Sequence, residues 1–399
     1  MPEALKIAIV VHGRLHAFDL GRELIKRGHD VAVFTNYPKW AAKRFDLPDN
    51  CVRSCWPEGV ATRLASRMSS AGIINYPEIF LHTWFSKWAA GSLTKDPWDV
   101  VLCWSGVGEE TLRALKGQRA LTICHRTSSH IRTQNRLLVE EEQRTGVSQE
   151  RPSQWMISRE EREYDLADII LVPSGFVSQS FSDEGVPSNK VFTIHLGVES
   201  KKFRPAPAEH EARCDRILSG APLQILNVGT FSFRKGMWDL ARAIKTLHDL
   251  AFQFRFIGPV NPEAADLVSN LQPFAEFIPP QPQRDLPAFY GWGDIFVLPT
   301  IEDGYQLVLA QANAAGLPIL TTPNGAGHDL IREGENGWVI PIRDPQALEE
   351  RLRWCDVHRL EVAKMVRKIY HSFQTRGWDD VVMEFEKVCL TALRPKSIE

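Results

Sequence analysis

Leu223-Gln224-Ile225-Leu226-Asn227-Val228-Gly229-Thr230-Phe231-Ser232-Phe233-Arg234-Lys235-Gly236 reads as a strand, a loop ending in two adjacent cations, and the start of a helix. Leu223–Val228 is short and mainly apolar, as expected of a strand covered on both faces. The same signature recurs downstream at Phe252–Ile257, Glu276–Ile278, Asp294–Pro299, Ile319–Thr322 and Gly337–Pro341, each time separated by a segment that suits a helix. Upstream it runs through Lys6–Val11, Asp30–Thr35, Asp99–Trp104, Ala120–Cys124, Ile169–Pro173 and Val191–His195. Between the first two, Asp19–Arg27 predicts a helix that stops at Gly28. Strands alternating with helices imply parallel βαβ units in an open, doubly wound sheet.

The series restarts at Leu223, so the reading is α/β with two Rossmann-like domains facing each other across a cleft. A chain of 399 residues suits that division, since single cores stop growing at roughly 250–300 residues. Pro205-Ala206-Pro207-Ala208 and the charged run Glu209–Arg216 read as a linker and a short bridging segment. The expected boundaries are 1–203 for the first domain and 204–376 for the second. Trp378–Leu393 reads as an amphipathic helix.

A net charge of −2 argues against a nucleic-acid partner held through bulk charge. Seven cysteines without framework spacing suggest reduced thiols and a cytoplasmic setting. No window approaches the ~20 apolar residues needed to cross a bilayer, and the N-terminus has no signal-peptide pattern.

Loops at strand carboxyl ends are where open α/β sheets bind ligands. In the loop after Val228, a helix N-terminus favours phosphate, Lys235 adds a point charge, and Arg234 can bind bidentately. The two cations would equally serve as a solvated cap on a turn. Pro299-Thr300-Ile301-Glu302-Asp303-Gly304-Tyr305-Gln306-Leu307 follows another strand and leads into a helix predicted over Val308–Ala315. There Gly304 would admit a ligand to the backbone, while Asp303 could be a ligand contact or an N-cap. Gln311, eight residues after Asp303, can look back toward the same cleft.

These stretches carry a family resemblance. "DGYQLVLAQANAAGLPIL" and "GENGWVI" resemble the C-terminal domain of family-4 retaining glycosyltransferases of GT-B architecture. "EREYDLADIILVPSGFVSQSF", "GVPSNKVFTIHLGVESKKFRP" and "GRELIKRGHDVAVFT" resemble that family's first half, in the same order. The resemblance implies a hexosyltransferase that takes a nucleotide-diphosphate sugar, gripped mainly by the second domain, and passes the sugar to a carbohydrate or lipid-linked glycan. It also implies a C-terminal helix, within 377–399, that crosses back to complete the first domain. Lys235 and Arg234 would face the donor pyrophosphate. Asp303 and the amides of Gly304, Tyr305, Gln306 and Leu307 would face sugar or phosphate, and Gln311 the ribose. Gly13 would admit the phosphates from the first domain, and His125 would stand near the reacting carbon. The catalytic residues so implied are His125, Lys235 and Asp303. No metal or other cofactor is expected, because cations and helix N-termini do that work. A common setting is bacterial surface-polysaccharide assembly at the inner face of the membrane.

The chain departs from the family at several of these positions. Asp303 and Gln311 stand where a Glu pair is usual, Gln306 replaces a glycine, and Thr230 replaces an arginine. The first loop has Gly13 where two glycines are common. One alternative is a nucleotide-sugar 2-epimerase, which shares the architecture but needs acid-base groups that Asp303 with Gln311 does not supply as a matched pair; the other, suggested by the weakened acidic pair, is a catalytically weakened sugar-nucleotide-binding protein.

The acceptor side is the less family-like. Between Cys51 and Pro97 lie Arg63, Arg67, Lys87 and Lys95 with Trp84, Phe85 and Trp88. Residues 60–95 could touch a membrane or an anionic lipid-linked acceptor, or form local core under solvated cations. Arg126 and His130, with Arg132, could meet an acceptor phosphate or form a solvated loop. His12 and His16 flank the first loop; with no third ligand nearby they read as polar contacts to substrate rather than metal ligands. The expected acceptor contacts are His12, His16, Arg126 and His130.

Overall fold

A computed structural model describes residues 4–247, 249, 252–372 and 376–393; the remaining positions, including the outer ends of the segments 1–203 and 377–399, lie outside the described residues. Two parallel sheets organise the chain. The first has seven strands: β1 Lys6–Val11, β2 Asp30–Thr35, β3 Val52–Ser54, β4 Val100–Trp104, β5 Leu121–His125, β6 Ile169–Val172 and β7 Val191–Thr193, in the order β3-β2-β1-β4-β5-β6-β7. The second has six: β8 Leu223–Val228, β9 Phe252–Ile257, β10 Ala275–Ile278, β11 Ile295–Leu298, β12 Ile319–Thr321 and β13 Gly337–Val339, in the order β10-β9-β8-β11-β12-β13. The order reverses beside β1 in one sheet and beside β8 in the other. Those are the switch points at which crevices form beyond the strand carboxyl ends. β4, β5 and β11 are buried along their whole length, which explains their unbroken apolar sequences.

The expected strands all form, with ends shifted by a residue or two. β3 was not expected: "VRS" is too short for any periodicity to show. Pro207–Leu218 is not a linker but a helix packed on the second half, and His210, Arg213, Cys214 and Ile217 are its buried face. Arg213 donates to the carbonyls of Ala315 at 2.7 Å and Tyr290 at 3.0 Å. The i, i+3, i+4, i+7 spacing of that face was present in the charged run and was masked by its polarity. Val198 and Phe203 pack in the second core, ahead of the expected boundary at 203.

The helix Trp378–Leu393 lies on the first sheet's side. Trp378, Val381, Val382, Phe385 and Cys389 join the first core. Glu386 accepts from Arg27 Nε at 2.6 Å and lies 2.8 Å from His29 Nε2. His29 Nδ1 accepts from the Leu5 amide, so Nε2 carries the proton that Glu386 receives. All seven cysteines are free and buried, and no helix among the described residues is long and apolar enough to cross a membrane.

The two halves are joined by cross-cleft ion pairs. Arg144 reaches Asp239 at 2.6 Å, and Arg343 reaches Glu140 at 2.8 Å and Glu141 at 3.1 Å. Asp329 accepts from the Gly175 amide, at the first turn of helix Gly175–Asp183.

Candidate functional site

A cleft of about 510 Å³ lies between the sheets. Its first-half wall includes His82, Ser105, Gly106, Gln134 and Glu160; its second-half wall includes Thr230, Ser232, Arg234 and Lys235. The loop after β8 closes in a tight turn over Phe233–Lys235, and Gly236 adopts φ 75° before helix Met237–Thr246. A Cβ at Gly236 would collide with the Pro299 carbonyl, so the left-handed turn and the close approach both demand glycine. That turn sets Arg234 and Lys235 side by side.

Each cation meets a carboxylate from the loop after β11. Lys235 pairs with Asp303. Arg234 Nε donates to Glu302 Oε2 at 2.8 Å, and Arg234 Nη2 donates to Ser128 Oγ at 2.9 Å. Glu302 is fully buried and accepts from Ser128 Oγ at 2.8 Å, the Ser129 amide at 3.0 Å and Ser129 Oγ at 2.6 Å. Burial alone would raise this carboxyl, but Arg234 and the Ser129 and Ser128 donors outweigh it and hold the pKa down to about 2. Glu302 is thus an anion at neutral pH that ties the loop after β5 to both loops of the second half.

The other residues of the 303–311 stretch divide between cleft and scaffold. Asp303 Oδ1 accepts the Gly304 amide at 2.8 Å. A Cβ at Gly304 would collide with the Thr127 carbonyl, so here glycine admits the opposite half of the protein. Tyr305 stacks on His195 with centroids 5.9 Å apart. Gln306 is buried, and its Oε1 accepts the Ala326 amide at 2.8 Å. Leu307 packs against the first core. Gln311 is buried and accepts from the Tyr290 hydroxyl at 2.9 Å.

In the first half, Gly13 has φ 82°, and its amide donates to Asn36 Oδ1 at 2.7 Å. His12 lies 3.0 Å from buried Glu58 and stacks on His82, with centroids 5.3 Å apart. His16 instead lies 2.7 Å from His125, Nε2 to Nε2, so the two histidines four apart do not converge on one point. No cluster of three metal-capable side chains occurs among the described residues. His125 Nδ1 lies 3.0 Å from the Leu171 carbonyl and must donate to it. Its Nε2 then accepts, and His16 Nε2 carries the shared proton. Burial lowers the His125 pKa to about 4, against the smaller opposing effect of the Leu171 hydrogen bond. Burial also lowers His16, with help from His125 and Arg14. Among the described residues His125 is thus grouped with His16 and Trp104, and not in hydrogen-bond contact with Lys235 or Asp303.

Arg126 is buried beneath the cleft floor. It donates to Ser129 O at 2.9 Å, Glu160 at 2.8 Å and Gln134 at 2.6 Å. His130 is also buried, packed edge-on to Phe181 at 4.9 Å and near Tyr164 at 5.1 Å. Desolvation lowers its pKa to about 4. Arg132 pairs with Glu161 and is more than half exposed.

Several residues that shape the site were not singled out from sequence. Glu302 draws no role from its place in the quoted loop. Glu163, inside the quoted "EREYDLAD", is buried and accepts the amides of Gly106, Gly108 and Glu109 at 2.5–2.9 Å, fixing the loop after β4. Ser128, Ser129 and Glu58 carry no sequence signal, because their roles exist only across the fold.

Two family models match in chain order: "Glycosyltransferase Family 4" over residues 14–202 and "Glycosyl transferases group 1" over residues 222–355. WcaL of Escherichia coli, named for colanic acid biosynthesis, is 25 % identical over 52 % of this chain and 53 % of its own length. AmsK of Erwinia amylovora, named an amylovoran biosynthesis glycosyltransferase, is 27 % identical over 41 % of each chain. The chain thus spans about half the length of the curated relatives it matches. Among solved structures, Anabaena HepE in complex with UDP and glucose aligns with a TM-score of 0.68 at 13 % identity, covering 97 % of this chain and 100 % of HepE. Sucrose-phosphate synthase from Thermosynechococcus elongatus aligns with a TM-score of 0.71 at 17 % identity, covering 97 % and 99 %. At such identities structural likeness speaks for the GT-B fold, and the two family models show that both halves of the chain are similar to glycosyltransferases.

Proposed function

We propose that the chain is a retaining glycosyltransferase that moves a hexose from a nucleotide-diphosphate sugar to a glycan or lipid-linked glycan. The observation that carries this reading is Arg234-Lys235, held at a helix start on the carboxyl end of β8 and facing an interdomain cleft. The second half grips the donor and the first half the acceptor. As pyrophosphate enters, Lys235 exchanges Asp303 for a phosphate oxygen, and Asp303 is released toward sugar hydroxyls. Arg234 keeps Glu302 on Nε and Nη2, leaving Nη1 for phosphate. These cations and the start of helix Met237–Thr246 stabilise the departing nucleoside diphosphate without a metal. No side-chain nucleophile stands out in the cleft, so the acceptor attacks on the face that the nucleotide leaves, and the donor phosphate takes its proton.

The names of WcaL and AmsK support a setting in bacterial surface-polysaccharide assembly. Exposed Leu64 and Met68 on the helix Trp56–Ser70, with Arg63 and Arg67 nearby, support peripheral contact with the cytoplasmic membrane face through 60–95. Phe85 and Trp88 of the same stretch are instead core.

Incubation with labelled uridine-, guanosine- and adenosine-diphosphate sugars, followed by product analysis, tests the reading. Slow donor hydrolysis, and with acceptor a product of retained anomeric configuration, is expected. Binding of a donor without turnover, with or without acceptor glycans, overturns it, as does formation of a 2-epimer.

A further inference from the structure

A second cavity opens beside the cleft, and its chemistry is the opposite of the cleft's. It holds about 880 Å³, inside the roughly 300–1,000 Å³ usual for small-molecule sites. Tyr76, Ile79, Phe80, Trp84 and Trp155 line it, together with one cation, Lys87, and one carboxylate, Glu78. Ile79 is 56 % exposed and Phe80 63 %. Apolar surface gathered this densely around a cavity marks a binding site rather than scattered surface residues.

The cavity adjoins the cleft. Glu78 lines both. On helix Glu78–Leu93, His82 faces the cleft while Thr83 and Trp84 face the cavity. On helix Gln154–Leu166, Met156 faces the cleft while Trp155 faces the cavity. The His82 and Trp155 rings meet edge to face at 6.3 Å and form the partition. On the cleft side of that partition lies Arg151. An apolar chamber beside a polar cleft, with Lys87 in the lining of the first and Arg151 in the lining of the second, fits one amphiphile lying across both. A bilayer or a second copy of the chain would cover a face, with no need for a chamber beside the cleft.

We propose that this cavity takes the hydrocarbon tail of a lipid-linked acceptor, whose phosphate passes Lys87 and Arg151 as its glycan enters the cleft. The identity of the ligand as an acceptor rests on the glycosyl-transfer reading above.

Farnesyl phosphate below its micellar concentration, titrated into the full chain while tryptophan emission is followed, is the test. A saturable single-site change is expected with farnesyl phosphate and none with inorganic phosphate. Thr83→Trp, which fills the chamber, should weaken binding at least tenfold. Phe80→Ser should do the same, and because that ring is exposed the variant leaves no hole in the core. Unchanged affinity in both variants overturns the proposal, as does a response seen only with phosphatidylglycerol vesicles, which would assign the face to membrane docking. The assay needs no turnover. Donor turnover without farnesyl phosphate binding sinks the tail site alone; farnesyl phosphate binding without turnover of any donor sinks the transferase reading and leaves the apolar site in place.

Discussion

Glu302 Oε2 lies 2.7 Å from Arg234 Nη2, and the same carboxylate receives three hydrogen bonds from Ser128 and Ser129 of the opposite half. One buried anion therefore holds the donor-side cation in place and fastens the two halves together. Removing one member of a buried, hydrogen-bonded pair leaves the other uncompensated, at a cost of roughly 3–5 kcal/mol.

Glu302→Gln should lower stability by about that amount at pH 7, read by urea unfolding. The pH dependence has a definite sign. The folded pKa of about 2 lies below the ordinary glutamate value of 4.5, so the stabilisation is present above pH 4.5 and is lost as pH falls toward 2. The shift corresponds to roughly 3 kcal/mol. The gap between wild type and Glu302→Gln should therefore narrow between pH 5 and pH 3. A gap that stays constant across that window would mean that Glu302 is not held as an anion.

Lys235→Ala removes the half-buried ammonium that Asp303 now holds. If pyrophosphate takes that place, the loss falls on the transition state, where charge grows on the leaving group. Turnover should drop by at least about 10²–10³-fold, with little change in urea midpoint. Wild-type turnover in this variant would remove the loop after β8 from the donor site.

Much of this arrangement was legible in the chain. Buried strands such as Val100–Trp104 and Ile295–Leu298 announce themselves because both faces are apolar, and Arg234-Lys235 stands out because two cations end a strand-loop. What stayed hidden depends on partners distant in sequence. Gln306 and Gln311 meet partners that their own loop does not show: the Ala326 amide and the Tyr290 hydroxyl donate to their side-chain oxygens. Arg126 and His130 look like a solvated basic loop, yet the first floors the cleft on Glu160 and the second sits between Tyr164 and Phe181. Glu302 could not be ranked above Asp303 without knowing that Ser128 and Ser129 would arrive from the other half.

Metal independence is testable without knowing the acceptor. Turnover should survive EDTA unchanged, because Lys235, Arg234 and a helix start supply the positive charge. Strict dependence on an added divalent ion would overturn that account of leaving-group stabilisation.

The His16–His125 pair should stay neutral well below the usual imidazole range. Burial holds the folded pKa of His125 at about 4, against the ordinary imidazole value of 6.5. Its neutral form thus stabilises the fold fully above pH 6.5, and that stabilisation is lost as pH falls toward 4, because the unfolded chain takes up a proton that the native state refuses. Nitrogen-detected NMR should show His125 protonated at Nδ1 and not at Nε2 at pH 5.5. A His125 ring that titrates near 6.5 would contradict both its burial and the shared proton.

Gly304→Ala separates packing between the halves from chemistry in the cleft. The added methyl would run into the Thr127 carbonyl, and a backbone carbonyl has little room to retreat when Ser128 and Ser129 are bonded to Glu302 next door. The loops after β5 and β11 must then part. The hydrogen bonds from Ser128 and Ser129 to Glu302 should lengthen together, since all three cross the same gap. The variant should become more sensitive to limited proteolysis between the halves. Because Asp303 and Lys235 both belong to the second half, their ion pair should survive. Nucleotide affinity should consequently change less than turnover, perturbing kcat more than donor KM. Equal loss in both parameters would show that the second half alone had been damaged, and unchanged proteolysis would show that the halves do not depend on the contact at Gly304.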